Sequence, residues 1–418
     1  MTSTQHDAAL LPCFPGGEGS FPVVDDELQI GGMPLTVLAA RVGRTPFYAY
    51  DRRLLAARVR ALRAALPRDV SLHYAMKANP MPALVGFMAA RVDGIDVASG
   101  GELRIALDAG MDPAHISFAG PGKTRGELEQ AVAAGVLLNV ESFREIHALR
   151  GIAERIGRPA RVAVRVNPDF ELKSSGMKMG GGAKPFGIDA EQASQALAEI
   201  GVAGLAFEGF HIFWGSQNLR AEAICEAQDK SLALAQRLAD AAPGPVRVLN
   251  LGGGFGIPYF KGEQPLDLAA VGGHLHGVAE RARASFPQAE LVVELGRYLV
   301  GEAGIYVCRV LDRKVSRGQV FLVTDGGLHH HLAASGNFGQ VLRKNYPLAV
   351  GNRVRGSSRE TVSVVGPLCT PLDLLGDRVE LARAHEGDLV VVFQSGAYGF
   401  TASPHRFLGH PPPVEVLV

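Results

Sequence analysis

Three short stretches of this 418-residue chain carry groups that could act together on a small charged molecule. The first is His73-Tyr-Ala-Met-Lys-Ala-Asn79, where Lys77 follows an apolar run. A lysine there is either a solvated strand terminus or an amine held at a rim for covalent chemistry. The second is Val292-Val-Glu-Leu-Gly-Arg297, in which Glu294 closes an apolar run and is followed by Gly296 and Arg297. That cluster reads as a surface ion pair or as an acid set at a binding rim. The third is Leu249-Asn-Leu-Gly252-Gly-Gly254-Phe-Gly256. Glycines in a row leave no Cβ to block approach, so backbone N–H groups can crowd an anion. The same run also serves as a tight turn without a ligand. A spaced G-x-G-x-x-G is absent, which disfavours a dinucleotide fold. An amine, an acid and an anion cradle on one rim are together what pyridoxal phosphate requires. The amine attaches to it, the acid keeps its ring nitrogen protonated, and Gly252, Gly253 and Gly254 hold its phosphate.

For these groups to meet, each must stand at the same end of its strand. From Phe47 the sequence alternates short apolar runs with segments of helical spacing: Phe47–Tyr50, Arg52–Leu66, Leu72–Ala78, Pro82–Ala90, Ile95–Ala98, and onward to Glu290–Glu294. Short strands separated by helices imply βαβ units and a parallel sheet. Eight or nine such strands before residue 300 predict an α/β fold, a (β/α)8 TIM-like barrel whose ligands sit at the strand C-termini. After Gly301 the rhythm stops. Gly304–Val315, Gly318–Thr324, Glu360–Val365 and Asp388–Gln394 predict a second, mostly antiparallel β domain. The expected division is residues 1–45 as an N-terminal segment packing with the β domain, 46–300 as the barrel, and 301–418 as the β domain. In the first segment, Leu28–Ile30 reads as a strand and Pro34–Val42 as a helix.

Composition narrows the field. Lys+Arg and Asp+Glu are equal at 42 each, with no long single-sign run, which argues against nucleic-acid and membrane-surface roles. Apolar runs are strand-length, so no transmembrane span is expected. Met1–Gly17 lacks a basic start followed by an apolar run, so no secretory signal is expected. Cysteines 13, 225, 308 and 369 have no CxxC spacing and read as free thiols of a reducing cytoplasm. His329-His-His331 cannot converge as three ligands on one strand, because neighbours alternate faces, and no metal is expected. Trp214 reads as core filler or as pocket lining.

Beyond these residue-level readings, the sequence resembles the fold-type III pyridoxal-phosphate decarboxylases, the group of diaminopimelate, ornithine and arginine decarboxylases, over nearly its whole length. Tyr74-Ala-Met-Lys-Ala-Asn79 resembles the cofactor-lysine motif, and Asp96-Val-Ala-Ser-Gly-Gly-Glu102 the next strand and helix start. Gly209-Phe-His211 resembles the segment whose histidine stacks on the cofactor ring. Gly252–Gly254 resembles the phosphate loop, and Glu294-Leu-Gly-Arg297 the segment whose acid pairs with the ring nitrogen. Gly366-Pro-Leu-Cys369-Thr-Pro-Leu-Asp373 resembles the catalytic cysteine segment, and Ser395-Gly-Ala-Tyr398 the tyrosine that closes the site. The resemblance thus implies Lys77, Cys369, His211 and Glu294 as catalytic. It implies Asp96, Ser216, the three glycines, Gly296, Arg297 and Tyr398 around the cofactor, with an alanine-racemase-like barrel. It also implies a homodimer in which Cys369 and Tyr398 reach the partner's site. Asp325-Gly-Gly-Leu-His-His-His331, Gly176-Met-Lys-Met-Gly180 and Cys369-Thr-Pro resemble two subgroups: the decarboxylases associated with exosortase-type export, and the butirosin-pathway enzyme acting on an acyl-carrier-protein glutamyl group.

Departures bear on the substrate, for which the resemblance implies contacts from Arg297, Arg343, Tyr346, Thr370, Asp373 and Tyr398. Ile212-Phe-Trp214 lengthens the link from His211 to Gly215-Ser216 by two residues. Thr370 stands where diaminopimelate decarboxylases carry an acid, and Arg343 and Tyr346 are one residue closer than the usual pair. A carrier-tethered aminoacyl group is therefore preferred to free diaminopimelate. A racemase and a non-catalytic pyridoxal-phosphate-binding homologue are the rivals. The Cys369 segment speaks against the first, and the β domain with Lys77, Cys369 and Asp373 against the second.

Overall fold

The computed structural model describes residues 21–171, 177–178 and 180–418. It divides into two compact units: Val59–Ile257 with Pro265–Tyr298, and the remaining residues up to Arg58, Pro258–Gln264 and Leu299–Val418.

The first unit is the parallel barrel. Its strands are β1 (Val70–Ala75), β2 (Gly94–Val97), β3 (Ile116–Phe118), β4 (Leu137–Val140), β5 (Arg161–Asn167), β6 (Ala206–Ile212), β7 (Val248–Gly253) and β8 (Glu290–Leu295). Each pairs in parallel with its sequence neighbour, and β8 returns to β1, with Leu291 opposite Val70, so the sheet closes. The strands are buried on both faces because helices cover the outside. Local chemistry stops and starts those helices. Thr124 and Glu127 form a reciprocal capping box before Arg125–Ala134, and Ser142 accepts from Glu145 N before Phe143–Ile156. Gly135 and Gly157 end the same two helices in the left-handed region, at φ 81° and 71°.

The second unit is a mixed sheet around the long strand Gly304–Ser316. That strand pairs antiparallel with Gln319–Thr324, Leu389–Val392 and Phe47–Tyr50. Arg359–Val365 pairs antiparallel with Leu374–Ala382. Two pairs are parallel: Gln319–Thr324 with Arg359–Val365, and Val414–Leu417 with Phe47–Tyr50. Phe21, Leu28, Ile30, Leu35 and Leu38 share this unit's core with Phe47, Ile305, Val307 and Val391.

Most expected elements lie within two residues of those observed, including Glu27–Ile30 and the helix Leu35–Val42. Phe47–Tyr50 has the expected bounds but not the expected sheet. It heads the alternating run in sequence, yet it joins the mixed sheet and not the barrel. All four of its residues are buried, so its composition matches a barrel strand; only pairing separates the two. Strands Leu348–Val350, Leu374–Ala382 and Val414–Leu417 were not expected. Two of them carry a Gly, Asp or Glu that breaks the apolar pattern. Within Gly176–Gly180, Met177–Lys178 pair with Gly215–Ser216, while Gly176 and Met179 lie outside the described residues, as does Cys13. Among the described residues, no helix is long and apolar enough to cross a membrane.

Candidate active site

Barrel closure brings β1 and β8 side by side, and with them the expected lysine and acid. His73 lies opposite Glu294 and Tyr74 opposite Leu295. Lys77 stands on the short turn Met76–Ala78 directly after β1. Its Nζ is 3.9 Å from Glu294 Oε1, and its side chain remains 43% exposed while Glu294 is buried. His211, near the end of β6, places Nε2 3.1 Å from Glu294 Oε2, and neither ring nitrogen meets hydrogen-bond geometry with a partner among the described residues. Burial pushes the Glu294 carboxyl up, but the facing His211 imidazole and the Lys77 and Arg165 cations outweigh it and hold the group well below the usual carboxylate range. Glu294 is thus a buried carboxylate kept ionised.

Asp96 in β2 is also buried. Its Oδ1 lies 3.2 Å from His73 Nδ1, and Oδ2 has no partner. Burial works against protonation of His73, yet the Asp96 charge prevails and raises its pKa. The barrel interior therefore holds several polar atoms without a hydrogen-bond partner among the described residues, an arrangement that points to a polar ligand.

The glycine run closes β7 and is tight for a reason that sequence alone does not reveal. A Cβ on Gly253 would sit 2.2 Å from Glu294 O, and one on Gly254 2.5 Å from Gly215 O. Gly252 and Gly254 take φ of 69° and 73°. The run is thus pressed against β8 and against the lengthened link Ile212–Trp214. That link puts the Phe213 ring centroid 5.5 Å from Lys77 Nζ. Trp214 is buried at 3%, with its indole edge close to Gly254. Ser216 is half-buried opposite Met177, and Gly296 and the half-buried Arg297 follow β8 at once.

The mixed-sheet unit carries the other expected residues. Cys369 is an exposed free thiol in the loop Gly366–Asp373. Thr370 is half-buried beside it, and Tyr398 is half-buried with φ 54°. Asp373 is buried, accepting from Leu328 N at 2.6 Å and Leu368 N at 2.8 Å. Arg343 donates from Nε to Ser335 O at 3.0 Å and from Nη2 to Leu374 O at 2.6 Å. Tyr346 is buried, its ring centroid 4.8 Å from that of Tyr259.

Sequence reading passed over the buried charges behind the rim. Arg165 in β5 meets Glu141 at 2.9 Å, and Lys123 meets Glu145 at 3.1 Å. The available signal was Arg165 itself, a cation inside the apolar strand Val162-Ala-Val-Arg-Val166.

These residues fit pyridoxal phosphate. The ionised Glu294 suits a cationic ring nitrogen, the Lys77 amine stands 3.9 Å from that carboxylate, and the buried His211 imidazole lies against it. The sequence profile of the "Pyridoxal-dependent decarboxylase, pyridoxal binding domain" family matches residues 52–301. The chain is 39% identical over 389 residues to the L-glutamyl-[BtrI acyl-carrier protein] decarboxylase of Niallia circulans, covering 92% of this chain and 90% of that one. It is 34% identical over 400 residues to the diaminopimelate decarboxylase of Aquifex aeolicus, covering 94% and 91%. The crystal structure of diaminopimelate decarboxylase from M. jannaschii in co-complex with L-lysine superposes with a TM-score of 0.86 at 26% identity, covering 96% and 92%.

Proposed function

This chain belongs to the pyridoxal-dependent decarboxylases, and on that premise we propose that it removes the α-carboxylate of a carrier-tethered, acidic aminoacyl group. The observation that carries the site is the buried, ionised Glu294 beside His211 and 3.9 Å from the Lys77 amine. Bound pyridoxal phosphate supplies an electron sink for the pair left behind as the carboxylate departs as carbon dioxide. Lys77 Nζ is the covalent attachment point. The Glu294 carboxylate would hold the proton on the ring nitrogen, and the His211 imidazole would support the ring. Gly252–Gly254 and Ser216 would hold the phosphate, with Asp96, Gly296, Arg297 and Tyr398 completing the surround. Cys369 Sγ or Lys77 Nζ returns a proton to the substrate Cα. The family resemblance supports a two-fold dimer whose partner subunit brings the cysteine and tyrosine. The free thiols at Cys225, Cys308 and Cys369 fit a reducing, cytoplasmic setting.

The choice of substrate rests on what the distal end would meet. Thr370 offers no charge to an ammonium, and an unpaired ammonium in a closed site is costly. Arg343 already serves two backbone carbonyls, and Tyr346 is packed among rings. A thioester-linked chain brings no distal charge to satisfy. The Niallia circulans relative, named for a carrier-bound glutamyl group, supports the same reading. The test is kcat/KM for aminoacyl-carrier or aminoacyl-pantetheine thioesters against free amino acids. Efficient turnover of free diaminopimelate, lysine or ornithine with thioesters ignored would overturn the carrier reading and leave the decarboxylase standing.

A further inference from the structure

The turn Gly326–His331 has no part in the reading above, yet its three histidines are buried at 1% exposure or less. Two side chains tie it to the loops that carry Cys369 and Tyr398. Asp373 is the first. Its Oδ1 accepts from Leu328 N in the turn and its Oδ2 from Leu368 N in the cysteine loop, at 2.6 and 2.8 Å. Its seat is closed on both sides. A Cβ on Gly327 would lie 2.1 Å from Oδ1, and one on Gly366 2.3 Å from Oδ2.

His331 is the second. Its Nδ1 accepts from Ala334 N at 3.3 Å, which puts the ring proton on Nε2. Nε2 then donates to Ser395 Oγ at 2.9 Å, and the Ser395 hydroxyl donates to Val392 O at 2.8 Å. This sequence of donors needs a neutral ring, and complete burial keeps it so, pushing the pKa down to about 3. Ser395 opens the segment to Tyr398, which is bounded by positive φ of 56° at the preceding Gln394 and 54° at Tyr398. Backbone in that region persists in non-glycine residues only where the surroundings impose it.

We infer that Asp373 and His331 are positioning residues: Asp373 straps the Cys369 loop, and His331 the Tyr398 segment, to the one turn Gly326–His331. The inference deepens the reading of Cys369 and Tyr398 as site residues and rests on it for any effect on turnover. The sequence resemblance groups Asp373 with substrate contacts; its engagement with two backbone amides supports a positioning role.

Hydrogen exchange by mass spectrometry on the holoenzyme separates the two straps. Asp373→Asn turns an acceptor into a donor against a backbone N–H. It should speed amide exchange in Gly366–Leu372 and maleimide alkylation of Cys369 by about tenfold, the opening expected from one lost charged hydrogen bond. Exchange in Ser395–Tyr398 should not change. His331→Phe should show the reverse, and His331→Gln, which restores a donor near the Nε2 position, should recover part of the protection. Cofactor absorbance should stay as in the unmodified chain while kcat falls in both variants. Should Asp373→Asn or His331→Phe fail to fold, Asp373→Glu and Ser395→Ala disturb the same two straps more gently and are read in the same way. Loosening of both loops in each variant, or of neither, would overturn the inference. Full turnover by Cys369→Ala would refute the catalytic reading of the cysteine while leaving the exchange and alkylation results to decide the straps.

Discussion

Glu294 is a place where opposing electrostatic effects can be ranked. Removal from water alone would protonate it, and the three cationic or protonatable neighbours, His211, Lys77 and Arg165, prevail. Replacing it with Gln removes the charge while preserving the shape. Glu294→Gln should still bind pyridoxal phosphate, with single-turnover decarboxylation slowed by about 10²–10³-fold, the cost of one lost preorganised electrostatic contact. A single-turnover rate near that of the unmodified chain would remove Glu294 from the mechanism. Lys77→Ala should abolish both covalent cofactor retention and turnover. Borohydride reduction followed by peptide mapping checks this, and a labelled lysine elsewhere would refute it.

At the level of elements, the pairing of β7 with β8 is as important as any side chain. Gly253 lies opposite Glu294, and its absent Cβ is what lets the strands approach. Gly253→Ala should displace β8 and its carboxylate, costing about 1–3 kcal/mol by overpacking. A lowered thermal midpoint together with weaker cofactor binding is the expected result; an unchanged cofactor Kd would contradict it. The turn Gly326–His331 gives a pH dependence. His331 titrates near 6.5 when unfolded and at about 3 in the fold, so the unfolded chain binds the extra proton first. Its contribution is intact above pH 6.5 and is lost as pH falls from there towards 3. At pH 5 the loss is on the order of 2 kcal/mol. Thermal melts from pH 7 to pH 4.5 should show His331→Phe losing less of its midpoint than the unmodified chain; parallel curves would count against a buried neutral ring.

For the molecule as a whole, the proposed dimer makes a prediction that no single chain can satisfy. Lys77→Ala and Cys369→Ala chains should each be impaired, because one lacks the attachment point and the other the thiol at the substrate Cα. Mixed dimers contain one site with both defects and one with neither, so refolding the two together should restore up to about a quarter of full activity for a random mixture. Well-formed mixed dimers without rescue would place the site within one chain.

The rim residues Lys77 and Glu294 and the glycine run were legible in the sequence because barrel strands end in recognisable ways: an apolar run, then the reactive group, then a turn; His211 was implied only by the family resemblance. Helix limits have equally local causes, seen in the Thr124–Glu127 capping box and in Gly135 and Gly157 at the helix ends. Tertiary structure alone decided what depends on partners far along the chain. Phe47–Tyr50 joined the mixed sheet because Gly304–Val307 and Val414–Leu417 pair with it. The glycines of the run proved to be required by contacts with Phe213, Gly215 and Glu294, and Asp373 proved to hold two backbone amides. Residue types and short spacings determine which groups could react. Long-range pairing and close packing decide what each group touches, and so whether its charge, its proton or its shape is the property that acts.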